Sequence, residues 1–254
     1  MGEITKNKTS CIKILILHIV ALVGLALLVV IILKAQFYSN AQKAFSDGKY
    51  EVFAHYFNLS GKDNFEISDD LKEIPYTAFD NCENIEFNEY KGCHYLGNKD
   101  NSYYALVSVK DILETYEIHP QTVVICDGVF RGCKNIQEFI VPEGNEHFTS
   151  IDGTLYSEDM SRLIHYATGN TSSSFVLPET VKTIDAYAFY YDSHLKNVTL
   201  PNDLQKIGEC AFGYTLIESI TLPNTAVIIE TGAFSNSAIK IMMTQTPGGQ
   251  NEKQ

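Results

Sequence analysis

The chain has 254 residues, 45% hydrophobic and 20% charged, with a formal net charge of −12. That hydrophobic share suits a folded chain, unlike the low-hydrophobicity, highly charged composition of intrinsic disorder. The first 34 residues carry +3 and the remaining 220 therefore −15, which excludes nucleic acid as a partner, since phosphates require clustered Lys and Arg.

After a short basic tail over residues 1–13, Ile14–Leu33 reads ILILHIVALVGLALLVVIIL between Lys13 and Lys34. A helix of this length spans about 30 Å, the hydrocarbon thickness of a bilayer. The segment is expected to be an uncleaved transmembrane signal anchor. A cleaved signal peptide is the alternative, with Ser39 and Ala41 as its small-residue pair, although its apolar region would ordinarily be shorter. Cys11 belongs to this N-terminal region, and His18 is expected at the membrane interface. Lys6, Lys8 and Lys13 before the span balance Lys34, Lys43 and Lys49 after it. Orientation therefore rests on the short N-terminus ahead of a long body, which favours the body outside.

Residues 34–68 read as a helical stalk and linker. Ala41, Ala44 and Phe45 share one helical face, Asp47-Gly48 is a stop, and Tyr50, Phe53 and Phe57 form a second face.

From residue 69 to 244 the text repeats. LPETVKTIDAYAF (Leu177–Phe189), LPNDLQKIGECAF (Leu200–Phe212) and LPNTAVIIETGAF (Leu222–Phe234) align on Pro178, Pro201 and Pro223, which are 23 and 22 residues apart. Val181, Leu204 and Ala226 stand three residues after proline, Ile184, Ile207 and Ile229 six after, and Phe189, Phe212 and Phe234 eleven after. Weaker copies end at Phe79 (LKEIPYTAF) and Phe130 (VVICDGVF). A fixed period of 20–29 residues marks a solenoid, in which each winding buries its apolar edge only against the next. The expected core is therefore Phe79, Phe130, Phe189, Phe212 and Phe234 with Ile184, Ile207 and Ile229. In LKNVTLP, Pro201 ends a short strand because it has no N–H for the ladder.

This pattern resembles the BspA-like leucine-rich repeat family, closely over Leu177–Phe234 and visibly over Leu71–Pro142. The resemblance implies a mainly β repeat solenoid and a surface or secreted protein engaged in adhesion or recognition. It also implies that Cys82 and Cys133, each three residues after a repeat Phe, are small buried spacers. Cys126 and Cys210 share no column; a disulfide between neighbouring windings stays open.

Two gaps interrupt the repeat. Near 91–115 the turn chemistry of GNKDN precedes the alternating Tyr103–Val109, and near 145–175 Ile151-Asp152-Gly153 and SEDMS bracket Leu155-Tyr156. Both are expected to be β-hairpin insertions. The tail 245–254, rich in Gly and polar residues, is expected to be disordered.

Catalytic motifs are missing. There is no C-x-x-C, no H-E-x-x-H, no phosphate-binding glycine loop and no G-x-S-x-G. Cys93-His94 are neighbours on a strand and point to opposite faces, which argues against a nucleophile–base pair. Asp69-Asp70 and Glu158-Asp159 read as solvated turns. No cofactor and no metal are expected. The sequons at Asn58, Asn170 and Asn197 matter only in a eukaryotic secretory host. Binding is expected on the outward strand residues, Glu138 and Ile140, Asn197 and Thr199, Ser219 and Thr221, or on the hairpin tyrosines Tyr95, Tyr103, Tyr104, Tyr156 and Tyr166. The expected function is a membrane-anchored, non-catalytic binding or adhesion module whose extracellular domain takes a protein or glycan ligand. An envelope scaffold is the structural alternative, and a hydrolase with residues scattered through the hairpins the enzymatic one.

Overall fold

A computed structural model describes residues 2–49, 53–54, 57–58, 60–62, 64–68, 71, 73–82, 85–223 and 227–243, with backbone alone for 2–19, 21 and 240–243. The tail expected beyond 244, Tyr50, Asp69-Asp70, Ala226 and the side chains of Cys11 and His18 lie outside that description. The chain forms two compact units, Met1–Asn64 with Thr77–Glu86, and Phe65–Tyr76 with Phe87–Gln254.

The first unit is built on one helix, α1 (Gly2–Ser46), which runs through the expected span and the first part of the stalk without a break. Val20, Leu22, Val23, Leu25 and Leu27–Leu33 are exposed. An 18-residue stretch within Leu22–Ser46 has mean hydropathy 2.1 and no buried residue. The helix stops where Gly48 takes a φ of +70° and the Lys49 N–H turns back to Ala44 O at 2.8 Å, a glycine termination. Ala41, Ala44 and Phe45 are buried at this end, as are Phe53 and Phe57. Phe79, expected in the repeat spine, instead packs within this unit. Its ring stacks on Phe45 at 5.4 Å and meets Phe53 edge-on at 6.1 Å. Aromatic rings of the helix end supply the partners that a neighbouring winding supplies elsewhere.

The second unit is a β-solenoid of about five turns. Strands β10 (Ser174–Val176), β12 (Asn197–Thr199), β14 (Ser219–Leu222) and β16 (Lys240–Met243) form one sheet with every neighbouring pair parallel. A second ladder runs through β9 (Arg162–His165) and the two-residue strands β11 (Thr183–Ile184), β13 (Lys206–Ile207) and β15 (Ile228–Ile229). Register follows the sequence period: Val198 lies beside Phe175 and Ile220, and Ile207 beside Ile184 and Ile229. After Pro178 the chain turns with Val181 N–H bonded to Pro178 O at 3.0 Å, so the proline closes a strand and opens a corner.

Inside, Leu195, Val198, Leu204, Ile207, Ala211 and Phe212 belong to one buried cluster that continues from winding to winding. The aromatic spine is nearly parallel. Phe189 and Phe212 stack at 4.8 Å and 10°, Phe212 and Phe234 at 5.6 Å and 8°. Tyr166 extends it, 5.2 Å from Phe189. Ile229 departs from the expected core and is 42% exposed, because β15 ends its sheet and, among the described residues, one flank of the isoleucine meets no further strand.

The remaining strands are β1 (Asn88–Tyr90), β2 (Cys93–Leu96), β3 (Ala105–Val109), β4 (Thr115–Glu117), β5 (Val124–Ile125), β6 (Glu138–Ile140), β7 (Phe148–Ile151) and β8 (Thr154–Ser157). β1–β2–β3 and β7–β8–β9 are antiparallel. Lys91-Gly92 (φ 47° and 78°) and Asp152-Gly153 (φ 50° and 76°) make their two-residue turns, the left-handed pair that type I′ hairpins require. These segments do not hang off the windings: β3 pairs in parallel with β5, and β9 with β11, so each antiparallel segment feeds a repeat ladder. A second buried cluster, holding Tyr95, Tyr116, Phe130, Phe139 and Leu155, lies beneath them.

Candidate functional site

The outward residues of the repeat strands do not form a single face. Asn197 and Thr199 on β12 lie in the same sheet as Ser219 and Thr221 on β14, where β10 adds Ser174 and Val176 beside Asn197 and Thr199. Glu138 and Ile140 lie on β6, in a separate two-stranded sheet with β4, against Thr115 and Glu117. The hairpin causes the division. Its turn residue Gly153 accepts the Phe139 N–H at 2.9 Å. A Cβ on Gly153 would come within 2.8 Å of Gln137 O, so only glycine permits this approach. The edge of β6 that would meet β10 is thereby occupied. Along the β10–β12–β14 face, the exposed side chains are small and polar apart from Val176, which is 69% exposed.

Four of the five hairpin tyrosines are interior. Tyr95, Tyr104, Tyr156 and Tyr166 are buried, because they occupy the inward register of their strands and loops; this corrects their expected role as ligand contacts. Tyr103 keeps part of its surface, stacked on His119 at 3.8 Å and set edge-on to Tyr95 at 5.6 Å. Burial pushes the Tyr95 and Tyr156 phenols well above the ordinary tyrosine range, so they stay neutral.

Polar groups elsewhere serve the fold. Arg162 Nη2 donates to Asp185 Oδ2 at 2.7 Å and Nε to Oδ1 at 3.2 Å, and Asp127 Oδ1 stands 3.8 Å from Nη2. Burial, then the Asp185 charge, push the Asp127 carboxyl up to about 6. A cavity of about 340 Å³ opens beside Arg162, lined by Val124, Ile125, Phe148 and Ile164. His165 is buried, held down to about 4 by burial, and donates from Nδ1 to Tyr166 O at 2.7 Å. Cys93 is buried with its thiol pushed up to about 12 by desolvation, while His94 turns away to Ser108 Oγ at 2.9 Å and stacks on Phe87 at 5.0 Å. Cys133 is buried beside Tyr116 Oη at 3.1 Å, and Cys82 is half-buried. Among the described residues Cys82, Cys93, Cys126, Cys133 and Cys210 are free thiols, and no three His, Cys, Asp or Glu side chains are grouped to hold a metal. A raised thiol pKa is the opposite of what a cysteine nucleophile needs.

One feature escapes the strand pattern, a ridge of partly exposed rings built on the buried Tyr187. Tyr76, Tyr187, Tyr190, Tyr191 and Tyr214 form a continuous run of rings. Tyr187 lies 5.4 Å from Tyr76 and 5.0 Å from Tyr190, and Tyr190 lies 4.5 Å from Tyr191 and 5.5 Å from Tyr214. Arg131 sits 3.8 Å over Tyr76 and Lys134 3.9 Å over Tyr191. The corner turns around each repeat Phe place these rings. Two residues before Phe the backbone is left-handed at Gly128, Tyr187, Cys210 and Gly232, and two after it at Asn81, Tyr191, Tyr214 and Asn236. Gly and Asn suit that conformation; a bulky side chain there is an outlier. The sequence signal was therefore available: tyrosine written where the same repeat elsewhere writes Gly or Asn.

Comparison with known proteins bears on the fold and the family. No curated protein matches the chain. A leucine-rich repeat protein from Eubacterium ventriosum is similar in structure, with TM-score 0.51 and 22% identity over 71% of this chain and 42% of that one. The pneumococcal vaccine antigen PcpA aligns with TM-score 0.45 and 28% identity over 65% of this chain and 40% of its own. A leucine rich cell surface protein from Faecalibacterium prausnitzii aligns with TM-score 0.44 and 16% identity over 76% and 63%. The chain thus spans about two fifths of the first two. The model of the BspA type leucine rich repeat region matches residues 49–163 and 164–247 in six copies. With most of its length matched, and with its windings, corner turns and aromatic spine in place, the chain belongs to the BspA type leucine-rich repeat family.

Proposed function

We propose that the chain is a non-catalytic recognition or adhesion module, tethered by the N-terminal helix to a membrane with the solenoid on the outer side. The observation that carries this reading is the solenoid's division of labour. The groups that could do chemistry, Arg162 with Asp185, His165, Cys93 and Cys133, are tied into buried packing and hydrogen bonds, while regular exposed rows and turns are left to meet a partner. The exposed apolar sheath Val20–Leu33 supports the tether, since apolar side chains in such a band are stable only in lipid or under another protein. The partner is a protein or a glycan at a cell surface.

Two measurements test it. Intact cells expressing the full chain are treated with a membrane-impermeant protease: loss of the repeat domain with retention of an N-terminal fragment in the membrane fraction is expected, and full protection refutes the outward orientation. Cells displaying the chain are then tested for attachment to immobilised matrix proteins and mucin glycans. Attachment no better than that of cells lacking the chain refutes the adhesion reading.

A further inference from the structure

We propose that the tyrosine ridge from Arg131 to Lys134 is a docking surface for an acidic polypeptide segment. The inference rests on the recognition reading above and gives it a location and a ligand chemistry.

Three observations converge. The first is conformational. Tyr187, Tyr191 and Tyr214 have φ of 61°, 62° and 55°, a left-handed backbone that disfavours a bulky side chain, whereas Gly232 and Asn236 occupy the matching positions of the next winding. Tyr187 is buried and underpins the ridge, whereas Tyr191 is half-buried and Tyr214 exposed, and a fold needing only a corner has no use for tyrosine at those two positions. The second is packing. Gly128 and Gly213 cradle the rings: a Cβ would stand 2.6 Å from Tyr187 Cδ2 at the first and 2.8 Å from Tyr190 Cδ2 at the second. The ridge is thus accommodated by residues that are not themselves part of it. The third is charge. The body of the chain is strongly acidic, yet Arg131 and Lys134 are both exposed. Among the described residues neither forms an ion pair with a carboxylate.

Ring geometry selects the ligand. The pairs Tyr76–Tyr187, Tyr187–Tyr190 and Tyr190–Tyr214 cross at 90°, 81° and 84°, so each pair sets the edge of one ring on the face of the other, and the two cations cover faces of Tyr76 and Tyr191. What remains to offer is ring edge and hydroxyl. Ring edges are the electropositive part of the quadrupole, and they lie here between two cations. A sugar stacking on aromatic faces finds few of them free, whereas carboxylates on an extended peptide find edges, hydroxyls and cations in line. Tyr with Arg is also the composition of protein-binding hot spots. One carboxylate lies at the ridge: Glu209 Oε1 accepts from Tyr187 Oη at 3.3 Å and holds that ring in place.

The test uses the full chain in detergent micelles and a fluorescent poly-glutamate peptide, with poly-lysine and hyaluronan as comparison ligands. Poly-glutamate is expected to bind and to weaken with salt, and R131A and K134A each to weaken it at least about fivefold. Y214N is expected to weaken it similarly while the melting temperature stays level or rises, because Asn suits the left-handed turn; a merely structural tyrosine would lower it. Unchanged poly-glutamate binding in R131A, K134A and Y214N overturns the proposal, as does hyaluronan binding that these three variants abolish. Attachment of displaying cells to immobilised matrix or mucin that survives all three variants refutes the ridge and leaves the recognition reading standing. Absence of attachment by the unmodified chain refutes that reading by itself.

Discussion

Replacing Phe212 by Ala tests the load on the aromatic spine. Phe212 has no exposed surface and lies between Phe189 at 4.8 Å and Phe234 at 5.6 Å, with both rings within 10° of parallel. Truncating a buried Phe costs about 3–5 kcal/mol through lost transfer energy and an unfilled cavity. Stacked partners on both sides, and rigid ladders that resist collapse, place Phe212→Ala at the upper end, about 4–5 kcal/mol. Phe234 is only half-buried and stacks on Phe212 alone among these repeat rings, so Phe234→Ala should cost about half as much. Urea titration of the full chain in detergent, followed by near-ultraviolet circular dichroism, measures both, with the slope checked for constancy so that midpoints compare. Equal losses for the two variants, or a loss below about 2 kcal/mol for Phe212→Ala, would refute the claim that stability propagates from winding to winding through these rings.

Three further outcomes are expected. Tyr166→Phe should leave stability unchanged or raise it by up to about 1 kcal/mol, because the hydroxyl is buried with no hydrogen-bond partner among the described residues, whereas Tyr166→Ala should resemble Phe189→Ala; thermal melts compare them. Gly153→Ala should destabilise by about 1–3 kcal/mol, since it forces a side chain into left-handed backbone and against Gln137 O; urea midpoints report it. Asp127 titrates near 6 in the folded chain, above the unfolded value of about 3.9. Its contribution to stability is therefore fully present below about pH 4 and lost as pH rises through 6. Asp127→Asn should flatten that part of the stability–pH profile, and an unchanged profile would show the carboxyl is not the cause.

The repeating part of the fold was legible because its cause is periodic. Ile184 and Ile207, with Phe189 and Phe212, recur at fixed offsets, and recurrence is what a one-dimensional text records well. Ends and interruptions are different. Ile229 carries the same letter as Ile207 but sits on an edge strand, and no residue near it in sequence announces that. Phe79 matches the offset and yet packs on rings of a helix some 30 positions earlier, a choice made by tertiary neighbours. The outward row failed for a related reason: Glu138 has the strand alternation, but the turn at Gly153 docks on its strand and separates it from Asn197. Tyr166 shows the opposite error. It stands 23 residues before Phe189, the repeat distance, and reading it as part of a hairpin concealed its place in the spine. The tyrosine ridge was hidden because alternation describes strands, whereas the ridge is set by backbone handedness at corners.

The hairpin wedged onto β6 has a mechanical consequence. Downstream of it, every strand from β9 to β16 continues a parallel ladder whose windings are held only by adjacent ones. A tug on the C-terminal end strips such windings singly, as beads leave a thread. At β7–β8–β9 the chain doubles back on itself, and Gly153 is bonded across to Phe139. Peeling must stop there until several bonds yield together, so the hairpin works as a knot near the middle of the thread and shields the N-terminal windings from whatever strain reaches the far end.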